Sequence, residues 1–383
     1  MEEIMRKNGR ITAYIHMDHI AQNFESMKKR IKSGTKMVAV IKTDGYGHGA
    51  VPIAKLAEPC DYIWGFSVAA VSEGMELRAA GITKPILVLG YTFEEDYAQM
   101  IEHGIRPSVF TMEMAEAFAS KAASMHVDAP VHIAVDTGMS RIGVKDDGEG
   151  ARLVDRISRL DGLRIEGIFT HFARADERDK SSARAQMDRF SAFCEELNGR
   201  GVTGFLRHCS NSAGIMELPE ANMDMVRASI TIYGIYPSDE MDRDAFPLCP
   251  AMELKSHVVY VKTISPGTPV SYGGTFVAQK PMKLATVPVG YGDGYPRSLS
   301  NKGYVLIHGQ KARITGRVCM DQFMVDVTDM DVAVMDEVTL LGRDKDAEIT
   351  VDELGILSGR FPYEFVCDIG KRVPRVYVGS EIK

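Results

Sequence analysis

The sequence predicts an α/β protein: an N-terminal (β/α)8 barrel of the TIM type over residues 11–245, then a smaller β-strand domain over 246–383 with which residues 1–10 pack. Three observations carry the prediction. Short apolar runs alternate with longer amphipathic ones through the first two-thirds of the chain, the pattern of a parallel sheet with helical crossovers. Near residues 235–250 a polar stretch punctuated by Pro237, Pro247 and Pro250 gives way to short alternating runs separated by glycine-containing turns. Finally, 383 residues exceed what one hydrophobic core ordinarily serves.

Thr12-Ala13-Tyr14-Ile15-His16 reads as a first strand. Asp18 then reads as the N-cap of a helix whose apolar positions Ile20, Phe24, Met27 and Ile31 follow three- and four-residue steps. Together they form a βα unit. Further strands are expected at 37–41, 62–66, 86–89, 131–135, 163–170 and 204–208, with helices over 111–125 and 181–199. A closed eightfold barrel accommodates about 235 residues, and an open doubly wound sheet is the competing arrangement of the same pattern. Later runs at 257–261, 284–289 and 323–327 read as strands of an all-β unit.

A formal net charge of -7 argues against nucleic acid or an acidic membrane as partner and favours a small molecule. The first ten residues lack the apolar core of a signal peptide, and no stretch approaches the length of a membrane span, so a soluble cytoplasmic protein is expected. The six cysteines are widely spaced without a Cys-x-x-Cys pair, which predicts reduced thiols and no metal site. His208 and Cys209 are neighbours, but adjacent strand residues point to opposite faces and make a poor nucleophile-base pair.

In a barrel, the C-terminal strand ends line the site, and here five of them carry chemistry. Lys42 follows Met37-Val38-Ala39-Val40-Ile41 and enters the turn Thr43-Asp44-Gly45-Tyr46-Gly47-His48-Gly49. Such a lysine is either a snorkelling strand end or an amine made reactive by burial and neighbouring cations. The other four ends are Asp136-Thr137-Gly138-Met139-Ser140-Arg141, Thr170-His171-Phe172, His208-Cys209-Ser210-Asn211-Ser212 and Met225-Val226-Arg227-Ala228-Ser229-Ile230. Their convergence on one mouth favours the reactive reading. Ser212, Gly214 and Ser229 are small enough to leave backbone N–H groups open to a phosphate.

Ala39-Val40-Ile41-Lys42-Thr43-Asp44-Gly45-Tyr46-Gly47-His48-Gly49 resembles the pyridoxal-phosphate lysine motif of the alanine racemase family. The resemblance continues in order through Asp136–Arg141, Thr170–Phe172, Asn211-Ser212, Arg227, Ser271-Tyr272-Gly273, Gly290–Tyr295, Gly316–Gln322 and Arg372-Val373-Pro374-Arg375, nearly the whole chain. It implies a barrel with a C-terminal β domain, and a racemase interconverting L-alanine and D-alanine for peptidoglycan. Lys42 would hold pyridoxal 5′-phosphate as a Schiff base, with Tyr46, Ser212, Ser229 and Ile230 around the phosphate and Arg227 facing the ring nitrogen. An arginine there cannot readily accept a proton, so the ring stays a restrained electron sink that disfavours transamination. Inversion is simplest with one base on each face, Lys42 and Tyr272. Tyr272 would come from the neighbouring subunit of a homodimer with shared active sites. His171, linked to Arg227, would stabilise its phenolate. Arg141 and Met320 would receive the substrate carboxylate, and Asp321 and Tyr291 would shape the entrance.

Two positions depart from the family pattern. Ala134 stands where many members carry a carbamylated lysine that orients the arginine, so an anion such as chloride or another carboxylate is expected beside Arg141. Lys371 replaces a tyrosine before Arg-Val-Pro-Arg and is expected to pair with the phosphate of the partner chain, a change that keeps serine open as substrate. The alternatives are a serine or broad-specificity racemase, a barrel-type pyridoxal-phosphate decarboxylase, and a pyridoxal-phosphate carrier made of the barrel alone.

Overall fold

Continuous apolar runs need cover on both faces, and the structure, a computed structural model describing residues 10–379, closes them into a barrel. A first strand, β1 (Ile11–His16), stands outside it. The barrel itself uses β2 (Lys36–Val40), β3 (Ile63–Val68), β4 (Ile86–Val88), β5 (Ile105–Arg106), β6 (Ser108–Val109), β7 (Ala129–Asp136), with the short β8 (Val144–Lys145) beside it, β9 (Leu163–Phe169), β10 (Leu206–His208) and β11 (Met225–Ala228). One parallel arc runs β11-β2-β3-β4-β5 and the other β10-β9-β7-β6.

The arcs join at both edges. β5 and β6 are one passage of chain broken at Pro107, which has no N–H to give the ladder but accepts from the His132 N–H at 3.1 Å. Opposite, Arg227 N–H donates to the Ser210 carbonyl at 3.0 Å and Asp224 N–H to the Arg207 carbonyl at 3.2 Å, tying β11 to β10. With β5 and β6 taken together, eight strands make a closed ring. An open doubly wound sheet is thereby excluded.

Membership of the ring differs from the sequence reading at two places. β1 pairs antiparallel with β12 (Met252–His257), Ala13 opposite Leu254, and parallel with β22 (Arg375–Val378), Ala13 opposite Arg375. The reason lies in its alternation: Ile11, Ala13 and Ile15 are buried while Tyr14 and His16 are half-covered, with Thr12 the one buried residue of the outer set, the pattern of a sheet packed mainly on one side. The vacant barrel position is filled by 105–109, which the interrupting proline and Arg106 hide from an apolar-run search. The helix after β1 spans Met17–Lys28 with His16 at its N-cap, so Asp18 sits inside the first turn rather than capping it. Ile20, Phe24 and Met27 are buried as expected.

The remainder is mainly one long sheet. Its strands are β12, β13 (Tyr260–Ile264), β16 (Met282–Val287), β17 (Tyr304–Ile307), β18 (Gln310–Thr315), β19 (Phe323–Asp326), β20 (Glu337–Asp344), β21 (Ala347–Ile349), β1 and β22; β14 (Pro269–Val270) and β15 (Phe276–Val277) form a separate hairpin. Two helices, Val351–Ser358 and Pro362–Cys367, were not expected from the sequence, and the second brings the chain back to the barrel mouth. Residues 1–9 of the segment expected to pack here lie outside the described residues. Arg10 does reach this part, its guanidinium gripping Asp293 at 2.6 and 2.9 Å. Among the described residues no helix is long and apolar enough to cross a membrane.

The linker between the two parts is fastened by a residue the sequence reading passed over. Asn23 is fully buried; its Nδ2 donates to the carbonyls of Ile232 at 3.1 Å and Cys249 at 2.8 Å, and its Oδ1 accepts from Cys249 N–H at 2.9 Å. Asn23→Ala strands these backbone groups without water. It should lower the unfolding free energy by about 1–3 kcal/mol, measured by urea denaturation.

Candidate active site

Lys42 begins a turn of unusual hand. Thr43, Asp44, Gly45, Tyr46 and Gly47 all have positive φ, between 49° and 79°. Left-handed backbone costs each non-glycine residue about 1–2 kcal/mol, so the turn needs external support. Glu73 accepts from Thr43 N–H at 2.5 Å, Asp44 Oδ1 accepts from Ala50 N–H at 2.8 Å, and Arg375 Nε donates to the Gly47 carbonyl at 3.1 Å. A side chain at Gly47 would sit 2.1 Å from the Val366 carbonyl, so the returning helix presses directly on the turn. The glycine-rich sequence thus serves close packing as well as turning. Burial, then the positive charge of Arg141, pushes the Lys42 amine below its ordinary range, raising its neutral fraction.

Arg227 is buried in the barrel and fully engaged at its two terminal nitrogens. Nη1 donates to the His208 carbonyl and to His208 Nδ1, both at 2.9 Å; Nη2 donates to the carbonyls of Thr170 at 2.7 Å and Cys209 at 3.1 Å, and meets His171 Nδ1 at 3.4 Å. Because a guanidinium only donates, His208 Nδ1 must accept and its proton must sit on Nε2. That proton points at His132 Nδ1, 2.9 Å away, which leaves the His132 proton on Nε2 facing Glu166 Oε2 at 3.4 Å. Arg106 Nε closes the line on the same oxygen at 2.9 Å. Burial and then Arg227 hold His208 neutral, and burial likewise lowers His132. Burial opposes ionisation of Glu166, but the hydrogen bonds from His132 and Arg106 prevail and bring it down to about 2.

The sequence reading missed His132, Glu166 and Arg106, yet a signal was present. Glu166-Gly167 interrupts an apolar strand, a mark of a bulge. The register does slip there: Val131 pairs with Ile165 and His132 with Gly167, skipping Glu166. A side chain on Gly167 would lie 2.4 Å from His132 Nδ1, so the glycine makes room for the ring.

At the mouth a cavity of about 570 Å³ is lined by Lys42, Tyr46, Arg141, His171, Ser212, Arg227 and Ser229. Ile230, which does not line it, is fully buried behind Ser229. Ser212 Oγ lies 2.9 Å from the hydroxyls of both Ser229 and Thr231 and accepts from Ser229 N–H at 2.9 Å, forming a compact cradle. These donors, a depressed amine and a fixed guanidinium suit a phosphorylated aldehyde, so the residues present fit pyridoxal 5′-phosphate. His171 is pushed down to about 3 by burial and by Arg227, Arg141 and Lys42, so it is a neutral imidazole and the charge behind it resides on Arg227. Burial keeps the Tyr46 hydroxyl protonated. Ala134 lies on the cavity wall and brings no charge of its own to Arg141. Tyr363, Cys367 and Asp176 also line the cavity without having been singled out from the sequence.

The remaining predicted residues gather elsewhere. Tyr272 is 70% exposed, Met320 52% and Tyr291 43%, and Asp321 and Lys371 are exposed too. None of the five lines the cavity of its own chain. They belong to the second part, where Tyr291, Met320 and Asp321 are knitted by Gly292 N–H to the Met320 carbonyl at 2.9 Å, Tyr291 N–H to the Cys319 carbonyl at 3.1 Å, and Arg372, which contacts Asp321 and grips Asp293 at 2.6 Å, while Tyr272 follows Ser271, whose Oγ lies 3.4 Å from Cys319 Sγ. Arg372 and Asp293 were not assigned a role from the sequence.

Residues 15–237 match the family described as Alanine racemase, N-terminal domain, and residues 251–377 the one described as Alanine racemase, C-terminal domain. A relative named alanine racemase from Desulforamulus reducens is 45% identical over 370 residues, 96% of this chain and 99% of its own. The solved alanine racemase of Clostridium difficile 630 superimposes with a TM-score of 0.92 at 39% identity, covering 96% of this chain and 95% of that one. That of Bacillus anthracis with bound L-Ala-P gives 0.91 at 33% identity, covering 98% and 96%.

The Glu166 carboxylate makes a pH prediction. Its folded value lies below the ordinary 4.5, so its stabilisation is complete above that value and is lost as pH falls toward about 2. Glu166→Gln should therefore destabilise the protein at pH 7, and the gap to wild type should narrow steadily below pH 5 in urea titrations.

Proposed function

The chain belongs to the alanine racemase family, and from that membership we propose how its residues interconvert L-alanine and D-alanine. It is an amino-acid racemase, and the comparisons do not favour the serine, broad-specificity or decarboxylase alternatives. One observation carries the mechanistic reading: Lys42, Arg227 and the Ser212–Ser229 cradle line a single cavity at the C-terminal ends of the barrel strands.

The cofactor is pyridoxal 5′-phosphate, which when bound withdraws electrons from Cα and acidifies its proton. Lys42 would carry it, Tyr46, Ser212 and Ser229 would hold its phosphate, with Ile230, whose side chain is buried away from the cavity, contributing only its backbone, and Arg227 would face its ring nitrogen. Arg141, with Met320, receives the substrate carboxylate; a guanidinium suits that planar anion. Lys42 then moves the Cα proton on one face, where its lowered affinity for protons helps. The opposite face needs a second acid-base group, and Tyr272 is that group.

Since Tyr272 lies outside the cavity of its own chain, two chains must exchange surfaces. In the homodimer so formed, Tyr272, Tyr291, Met320, Asp321 and Lys371 of one chain complete the cavity of the other. His171 accepts from Arg227 at Nδ1 and so presents Nε2–H to the incoming phenolate. Lys371 supplies a cation to the phosphate. The enzyme works in the cytoplasm, and its D-alanine feeds peptidoglycan.

Chiral separation after incubation with L-alanine and, separately, L-serine tests the activity; alanine should racemise, and release of carbon dioxide in place of D-alanine would overturn the reading. Lys42→Ala should abolish the borohydride-trappable bond to the cofactor. Tyr272→Phe should keep that bond and lose racemisation. Lys371→Ala should weaken cofactor binding in an absorbance titration; unchanged affinity would remove the phosphate role from Lys371.

A further inference from the structure

Tyr272 can act on a neighbour's cavity only if an exposed turn holds it still. That turn is built on a residue in a conformation that serines avoid. Ser271 has φ 64° and ψ -175°, a region of backbone space occupied almost only by glycine. Its Oγ donates to the Arg317 carbonyl at 2.7 Å and lies 3.4 Å from Cys319 Sγ. Gly316 lies directly beneath; a side chain there would come within 2.8 Å of Ser271 Cβ and 2.7 Å of the Val270 carbonyl. The flanking strands are locked by the pairs Pro269 with Val277 and Val270 with Phe276. Their apolar side sits on a small separate core of Ile264, Val270, Ala278, Met282 and Leu284.

We propose that Ser271 is a positioning residue for racemisation: its hydroxyl, anchored on the Arg317 carbonyl, clamps a strained backbone that aims the Tyr272 ring out of its own chain. The inference rests on the two-base reading above. Without the anchor, a residue carrying Cβ relaxes toward negative φ, a rotation that swings the next side chain away. The hydroxyl is committed to the Arg317 carbonyl, and Ser271 does not line the cavity of its own chain. It acts through Tyr272 alone, so its loss leaves the Lys42 face working.

The test is the ratio of two rates in the full-length holoenzyme: α-proton exchange into deuterated water, and racemisation, each followed from both enantiomers. Ser271→Ala should lower racemisation about 100-fold, the usual consequence of misplacing a reacting group by an ångström. Exchange of the enantiomer whose Cα–H faces Lys42 should persist, so the exchange-to-racemisation ratio rises. Ser271→Gly adopts positive φ without a steric cost and should recover part of the racemisation. Absorbance of the bound cofactor should not change in either variant. Partial misfolding lowers both rates together and leaves the ratio alone. A wild-type ratio in Ser271→Ala, or equal loss in Ser271→Gly, would overturn the proposal. Tyr272→Phe separates the two readings: if it racemises normally the two-base reading itself fails, whereas if it does not and Ser271→Ala has a wild-type ratio, only the clamp is wrong.

Discussion

A guanidinium buried at the barrel mouth is the constraint around which this molecule is organised. Arginine keeps its charge at any accessible pH, and the side chain of Arg227 is shielded from water, so its charge must be met by protein dipoles. Three of its acceptors are the carbonyls of Thr170, His208 and Cys209, at or just beyond the ends of β9 and β10, while Arg227 itself rides on β11. One side chain therefore pins three neighbouring strand ends in a fixed relation. The balancing carboxylate, Glu166, lies two imidazoles away and is shared with Arg106. Keeping the anion distant leaves the charge of the guanidinium without a carboxylate partner on its cavity side. Burial brings Arg227 down to about 10, still far above neutrality, so the charge persists in use.

The cavity around that residue gathers positive charge. Lys42, Arg141 and Arg227 line it together, and after burial, the largest cause in each case, the charge of Arg141 adds to the depression of Lys42, His171 and Arg227. Like charges gathered in a partly dry space repel by amounts that grow as water leaves. Anions entering the cavity relieve that repulsion, so binding them stabilises the arrangement. Before they bind, the same repulsion favours a neutral Lys42, the form that can attack an aldehyde. Electrostatics that disfavour the empty site thus prepare its nucleophile.

Much of this was legible in the residues. The runs around Met37–Ile41 and 131–135 gave the barrel because parallel strands are apolar on both faces, and the strand-end positions of Lys42, His171, Ser212 and Arg227 followed from them. The misses have physical causes. β1 was assigned to the ring because a strand followed by a helix looks like a barrel unit, although its alternating burial fits the one-sided sheet it joins. Residues 105–109 were hidden because Pro107 breaks the run while its carbonyl keeps the ladder. The His208–His132–Glu166 line depends on a one-residue bulge, which Glu166-Gly167 marks in the sequence but whose partner His132 is fixed only by the register between two strands. That Tyr272 stands exposed and outside the cavity of its own chain was expected from the family resemblance and not from the local residues, which read equally as a cross-strand aromatic.

The turn that carries Lys42 and the surface around Tyr291 are not independent within one chain. Arg375 donates from Nε to Gly47 in the Lys42 turn, from Nη1 to the carbonyls of Gly370 and Val373 at 2.7 Å, and from Nη2 to Ile369 at 2.6 Å. The loop it gathers carries Lys371 and Arg372. Gly370 N–H donates to the Asp293 carbonyl at 2.9 Å, and the Asp293 carboxylate takes Arg372, Arg10 and the Gly290 N–H. Arg372 in turn holds Asp321, beside Met320. One continuous set of hydrogen bonds therefore runs from the turn that presents Lys42 to the surface that presents Tyr291, Met320 and Asp321.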